Sequence, residues 1–255
     1  LIDYLTRSLV RGLDWFLPPL CLGCRSTPGQ GIDRLSLCPR CRQGLRPVSD
    51  RRCATCLVRL ADPSAPRGWR CAACRRRPPA WDRLLVGWLY EPPLREVVVG
   101  LKFGRLEYLG AAIGRELAAR FGSELAACEA VVPMPLHWWR AWRRGYNQAE
   151  LLARAVADAV ERPLVRRLRR RRPTRPQTGL DRATRQRNLA GAFCWRGAPA
   201  TAHGHWLLVD DVLTTGATLE SAARALRAAG ASRITALLAA ATPHPSAAER
   251  RTIGE

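Results

Sequence analysis

Lysine is almost absent. Lys102 is the one lysine among 42 basic residues, and all the others are arginine. No Gly-Lys-Ser/Thr run exists, so a P-loop, whose lysine must reach the terminal phosphates, is excluded. The arginine skew decides nothing further, because codon composition produces it as readily as chemistry does. Acidic residues are also scarce, 21 in all, which leaves a formal net charge of +21. An excess of that size favours polyanionic partners, nucleic acid or membrane phosphates, over a surface that is merely solvated. Long apolar runs are missing too: none approaches the roughly 18 residues of a membrane-crossing helix, so no membrane span is expected. Asp3, Arg7, Arg11 and Asp14 interrupt the apolar residues of the N-terminus, which excludes a secretory pattern there and predicts a cytoplasmic location. Histidines number four, His137, His203, His205 and His244, and none is an evident general base.

What is plentiful is cysteine. Eight of the ten fall in four Cys-x-x-Cys pairs: Cys21/Cys24, Cys38/Cys41, Cys53/Cys56 and Cys71/Cys74. Without an export signal, the spacing suits two thiolates on one metal ion better than disulfides. The gaps of 13 residues between the first two pairs and 14 between the last two are ribbon-like. Tetrahedral zinc held by four cysteines is the expected product, structural because four thiolates leave no open position. Sequential pairing gives Cys21/Cys24/Cys38/Cys41 and Cys53/Cys56/Cys71/Cys74, and interleaved pairing fits the spacing as well. Apolar residues are sparse between the cysteines, so metal binding is expected to supply most of the folding energy, on the order of 10 kcal/mol per site. Arg67, Arg70 and Arg75 to Arg77 are candidates for nucleic-acid contact, although such a module serves equally well as a docking platform.

The 255 residues suffice for one large domain or two smaller ones, and a 47% hydrophobic content supports a packed core. Pro78-Pro79 marks the expected boundary, with an N-terminal helix and cysteine-rich module over 1–80 and a second domain over 81–255. Leu5, Leu9, Leu13 and Phe16-Leu17 predict an amphipathic helix within 1–20. Beyond the boundary, strands are predicted at 84–90, 131–132, 191–195, 206–209 and 232–240. Helices are predicted from 93 to 103, from 106 to 121, from near Asn147, and from Leu219 to Gly230. Alternating strand–loop–helix units of this kind predict an α/β fold, a parallel sheet flanked by helices. Residues 166–187 hold ten arginines against one acid, Asp181, and their prolines and glycine deny them a long helix.

The stretch around which the rest is arranged is 206–219, WLLVDDVLTTGATL. An apolar strand delivers Asp210 and Asp211, then a turn of small residues, Thr214-Thr215-Gly216-Ala217-Thr218, opens a helix. Carboxyl ends of strands in an open α/β sheet face the ligand crevice. Two carboxylates there can accept hydrogen bonds from vicinal ribose hydroxyls. The turn lets backbone N–H groups approach a phosphate, and the helix presents its partially positive end to the same anion. The alternatives are a buried strand whose acids cap a loop, or a Mg²⁺ site of another phosphotransferase. The run resembles the signature of the type I phosphoribosyltransferases, which bind phosphoribosyl pyrophosphate (PRPP).

Four further features extend the resemblance to nearly the whole chain. They are the Cys-x-x-Cys module, LKFG at 101–104, VVPMPLHWWRAWRRGYNQAELLA at 131–153 and RRPTRPQTGLDRATRQRNLAGAF at 171–193. In this order they resemble the ComF family of competence-associated proteins, which joins a zinc-finger module to a phosphoribosyltransferase-like domain and is implicated in natural transformation. The resemblance implies that Asp210 and Asp211 hold ribose hydroxyls, with Mg²⁺ accompanying pyrophosphate, and that Thr214 to Thr218 cradle the 5′-phosphate. It implies that Pro133, Met134, Pro135 and His137 belong to a pyrophosphate loop bordered by Arg144 and Asn147. It places Lys102 in the family's LKF position and Arg175 to Asn188, with Arg185 among the catalytic candidates, in a lid. The partners implied are PRPP, single-stranded DNA and a DNA-uptake helicase. Trp138, Trp139 and Trp142 alternate with Arg140, Arg143 and Arg144, a mixture suited to single strands, although tryptophans at helical spacing equally suit a core. The competing function is nucleobase salvage, against which stands the lack of an evident base pocket. A third is non-catalytic nucleic-acid binding with PRPP as effector.

Overall fold

The computed structural model describes residues 20–27, 31–49, 52–60, 62, 64, 66, 68–136, 138–171, 191–197 and 204–242. The helix expected within 1–20 and the lid expected over 175–188 lie outside them, as do Arg67, His137 and Arg185. Two five-residue helices, α1 (Pro39–Gln43) and α2 (Ala72–Arg76), each start from a cysteine, Cys38 and Cys71. After them come β1 (Arg83–Leu89), α3 (Leu94–Phe103), α4 (Tyr108–Leu125), β2 (Ala130–Pro133), α5 (Trp138–Arg144) and α6 (Gln148–Ala159). β3 (Leu168–Arg170), β4 (Phe193–Trp195), β5 (His205–Leu213), α7 (Ala217–Ala228) and β6 (Arg233–Ala241) complete the order.

Four strands form one parallel sheet in the order β1-β6-β5-β2. Strands covered on both faces read as near-continuous apolar runs, as residues 84–86, 206–209 and 236–241 do. Leu85, Val131, Leu207, Val209 and Leu237 point to one face, where α3, α4 and α6 pack. Their neighbours Leu84, Val132, Leu208, Ala236 and Leu238 point to the other, against α7 and the small β3–β4 sheet. The result is the expected fold class, a parallel sheet flanked by helices and preceded by a cysteine-rich module. The strand expected at 191–195 forms, but it pairs antiparallel with β3 rather than joining the main sheet. β5 also runs further than Trp206–Val209, because β6 continues to pair with it through Asp210↔Leu238 and Leu213↔Ala241. The acids therefore sit inside the strand, not after it.

The outer edge of β1 would be an open template for further strands. Arg46, Val48 and Ala54 cover it: Leu89 N donates to Arg46 O at 2.8 Å, Leu84 N to Ala54 O at 2.9 Å, and Val48 N to Gly87 O at 3.4 Å. The apolar residues of the module are few but not idle. Leu35 and Leu37 are fully buried in the core beneath α3 and α4, and Leu57 packs into the opposite one with Trp81. Arg42 reaches Glu116 on α4 at 2.5 Å, and Ser36 Oγ lies 2.6 Å from the Tyr108 hydroxyl. The two cysteine groups thus straddle the sheet, one on each face of β1.

Candidate functional site

The cysteines assemble sequentially. Cys21, Cys24, Cys38 and Cys41 bring their sulfurs within 4.8 Å of one another, and so do Cys53, Cys56, Cys71 and Cys74. A tetrahedron with Zn–S bonds of about 2.3 Å has edges of about 3.8 Å. Cys24 and Cys38 sulfurs stand 3.9 Å apart, and Cys56 and Cys71 sulfurs 3.8 Å. Backbone N–H groups of Cys38 and Cys71 donate to the sulfurs of Cys21 and Cys53 at 3.2 and 3.3 Å, the orientation a thiolate needs. Both donor sets fit structural zinc.

The carboxylate pair lies near the carboxyl end of β5, beside the end of β2, where Pro133 pairs with Val209. Pleating sends consecutive side chains to opposite faces, so the two acids meet different surroundings. Asp211, 8% exposed, points to the α3 side, where its Oδ1 lies 3.0 Å from Lys102 Nζ. Its Oδ2 is buried with no hydrogen-bond partner among the described residues. Asp210 is half-buried, and its Oδ1 accepts the Asp211 N–H at 2.8 Å. Burial of its surroundings, then the neighbouring Asp211 charge, push its carboxyl up to about 7, against the partial relief given by Lys102 and Arg170. One acid is thus held by a cation, and the other is poised near neutrality.

Past β5 the chain turns through Thr214, exposed, and Thr215 and Gly216, both half-buried. Gly216 adopts φ of 77°, the left-handed conformation that costs a residue with a Cβ about 1–2 kcal/mol. α7 starts immediately afterwards, with no side-chain hydrogen bond capping it at Gly216. An anion fits there electrostatically.

The neighbouring loop leaves β2 at Pro133. Met134 N donates to Val209 O at 2.8 Å, and Pro133 and Pro135 have no N–H. The donors remaining in 133–137 are therefore those of Leu136 and His137, the latter outside the described residues. Asn147 caps α6 by accepting from Ala149 N at 3.1 Å, and its Nδ2 donates to Met134 O at 3.0 Å, so it caps and shapes the loop together. Tyr146 donates its hydroxyl to Leu101 O, which ties the same segment to α3. Arg144 stacks its guanidinium 4.9 Å from the Phe103 ring.

Lys102, Phe103, Arg105, Trp139, Arg143, Arg144 and Tyr146 line a cleft of about 540 Å³ beside the carboxylates. Trp142 is 74% exposed and Trp139 49%, and their rings stack at 5.3 Å. Among the described tryptophans of this segment, helical spacing therefore does not mean core. Phe103, 70% exposed, is the aromatic that sequence reasoning passed over. Arg170 was hidden for another reason: it is one arginine in a run, and its place on the three-residue strand β3 brings its charge into range of Asp210. His205 lies at the far end of β5, bonded to Thr235 and to Ala127 O, and burial lowers its basicity.

Comparison with known proteins agrees with this arrangement. Residues 12–75 match the double zinc ribbon domain, and residues 143–252 match the phosphoribosyl transferase domain. The chain is 34% identical over 227 residues to the DNA utilization protein YhgH of Salmonella typhimurium, covering 86% of this chain and 95% of that one. It is 30% identical over 221 residues to competence protein F of Haemophilus influenzae, covering 84% and 93%. Over 224 residues it is 27% identical to competence protein ComFC of Bacillus subtilis, covering 81% and 88%. No described helix is long and apolar enough to cross a membrane.

Proposed function

The chain belongs to the ComF family of competence-associated proteins, and from that premise we propose that it binds PRPP and single-stranded DNA in DNA uptake. The observation that carries the reading is the Lys102–Asp211 pair at 3.0 Å beside the half-buried Asp210, at the strand ends that α7 faces. Asp210 is placed to accept from ribose hydroxyls, and the unpartnered Asp211 Oδ2 has room for one more donor. Thr214 to Thr218 offer a turn and a helix start to the 5′-phosphate. Arg144 and the Lys102 ammonium supply positive charge on the pyrophosphate side, next to the loop of Pro133, Met134 and Pro135 that Asn147 shapes. Mg²⁺ held by one or two carboxylates and the pyrophosphate oxygens suits this donor set, and when bound it would neutralise the leaving group.

If ribosyl transfer occurs, these groups would act electrostatically, holding the ring and stabilising departing pyrophosphate, since no described histidine adjoins the carboxylates. The stacked Trp139 and Trp142, flanked by Arg143 and Arg144, support the single-strand part of the proposal. Nucleobase salvage is the weaker reading, because the described residues lining the cleft beside the carboxylates include four cations, which suit phosphates better than a neutral base. The zinc-loaded protein should bind PRPP in a calorimetric titration, and adding single-stranded DNA while following pyrophosphate separates enzyme from sensor. Release only with DNA makes transfer the function; binding without release makes PRPP an effector. A wild-type protein that binds no PRPP would remove the proposal. Contact with about six phosphates would make DNA affinity fall roughly as the fourth power of salt, and a flat response would remove DNA from it.

A further inference from the structure

Between Cys53 and Cys56 stands Thr55, fully buried, with its Oγ1 3.3 Å from the Cys53 sulfur. Its carbonyl accepts a hydrogen bond of 3.0 Å from the indole Nε1–H of Trp81, itself buried. The far corner of that indole, Cη2, lies 3.5 Å from where a Cβ on Gly216 would stand, and Trp81 shares a buried cluster with Leu213 and Ala217, which flank the turn that opens α7. The residues on either side of Trp81 fasten the same helix. Ala80 N donates to Glu220 Oε2 at 3.0 Å, and Ala80 O accepts from Arg227 at 3.2 Å. Asp82 pairs with Arg227 and accepts from Ile234 N at 2.8 Å. One continuous line of bonded and packed groups runs from the second cysteine cluster to the small-residue turn.

We infer that Trp81 is a positioning residue that transmits the metal state of the Cys53/Cys56/Cys71/Cys74 cluster to the turn at 214–218, so that zinc there sets the affinity for PRPP. The inference rests on the reading that this turn receives the 5′-phosphate. Zinc fixes the backbone between the two cysteines of a Cys-x-x-Cys pair, and so fixes where the Thr55 carbonyl stands. Without it the buried indole N–H loses its acceptor, a loss large enough to move the ring. The ring is what backs the turn at Gly216. The first cluster packs on the other face of the sheet, against α3 and α4, and not against Trp81. Coupling of this kind is reciprocal: whatever zinc does for PRPP, PRPP must do for zinc.

The test uses the full-length, zinc-loaded protein and two readouts. Trp81→Phe keeps an aromatic ring but removes the donor. It should weaken PRPP in calorimetry by about tenfold while leaving two zinc ions per chain and single-strand affinity unchanged. Second, PRPP should slow the release of one of the two zinc ions to a chromophoric chelator in wild type, and not in Trp81→Phe. If wild type binds PRPP and Trp81→Phe binds it equally well, the inference is overturned while the proposed function stands. Should Trp81→Phe lose zinc or fold, the chelator arm on wild type decides, and release of both ions unaffected by PRPP overturns it. A wild type that binds no PRPP overturns both.

Discussion

Asp210 and Asp211 are the same residue type one position apart, and the strand pleat gives them different chemistry. Asp211 stands against the Lys102 ammonium, whereas the half-buried Asp210, desolvated and next to the Asp211 charge, is pushed up to about 7. A carboxyl raised from 3.8 favours the protonated folded state. Its contribution to stability is therefore complete below about pH 4, declines as pH rises, and is gone above about 7. Ligand binding runs the other way, since accepting hydroxyls or holding Mg²⁺ needs the ionised form. PRPP affinity should climb between about pH 6 and 8 and then level off, with proton release on binding below about 7, read by calorimetry in buffers of differing ionisation enthalpy. Asp210→Asn should flatten the profile. Removing the other partner has a different signature. Lys102→Met leaves Asp211 buried and unpaired, and should lower stability by about 3–5 kcal/mol in denaturant unfolding. Most of that loss should return in Lys102→Met/Asp211→Asn. The acid pair and the small-residue turn were legible in the sequence because their order is local. The division of labour between the acids was not, since it depends on where β5 ends, and pairing with β6 decides that.

At the scale of elements, periodicity carried furthest. The stripe of Leu219, Ala222, Ala223 and Leu226 on α7 is buried as the spacing predicts; of the α6 stripe, Leu152, Ala155 and Val156 are buried, Leu151 and Val160 are half-buried, and Ala159 at the helix end is exposed. Short elements left no comparable trace: β3 is three residues inside an arginine run, and only its pairing with β4 makes it a strand. Close helix contacts were also silent. On α4, a Cβ at Gly114 would lie 2.6 Å from Leu152 O and 2.8 Å from Ala155 Cβ. α4 and α6 therefore approach backbone to side chain, and the obstacle includes a carbonyl that cannot swing aside. Gly114→Ala gains helix propensity in isolation, by about 1 kcal/mol. Overpacking should outweigh it and leave a net destabilisation of about 1–2 kcal/mol in denaturant unfolding. Because α6 carries Asn147 at its start, the same substitution should also disturb the loop at Met134 and weaken PRPP.

At the scale of the molecule, the cysteine module and the parallel sheet are packed into each other. The four Cys-x-x-Cys pairs announced two metal sites, and Arg46, Val48 and Ala54 gave no sign that they cover the edge of β1, because those contacts are backbone to backbone. Metal removal should therefore reach beyond the module. Each ribbon is anchored on its own face of the sheet, through Leu35 and Leu37 on one side and Leu57 on the other, so neither can loosen without freeing part of what covers that edge. Stripping both zinc ions should expose the N–H groups of Leu84 and Leu89 to hydrogen exchange while the central strands β5 and β6 keep their protection. An uncovered parallel edge recruits other chains. The apo protein should accordingly self-associate with rising concentration in sedimentation velocity, despite the repulsion expected from a net charge of +21. A monomeric apo protein with Leu84 and Leu89 still protected would mean that Arg46, Val48 and Ala54 hold the edge without metal, and that the module is folded by its buried leucines instead.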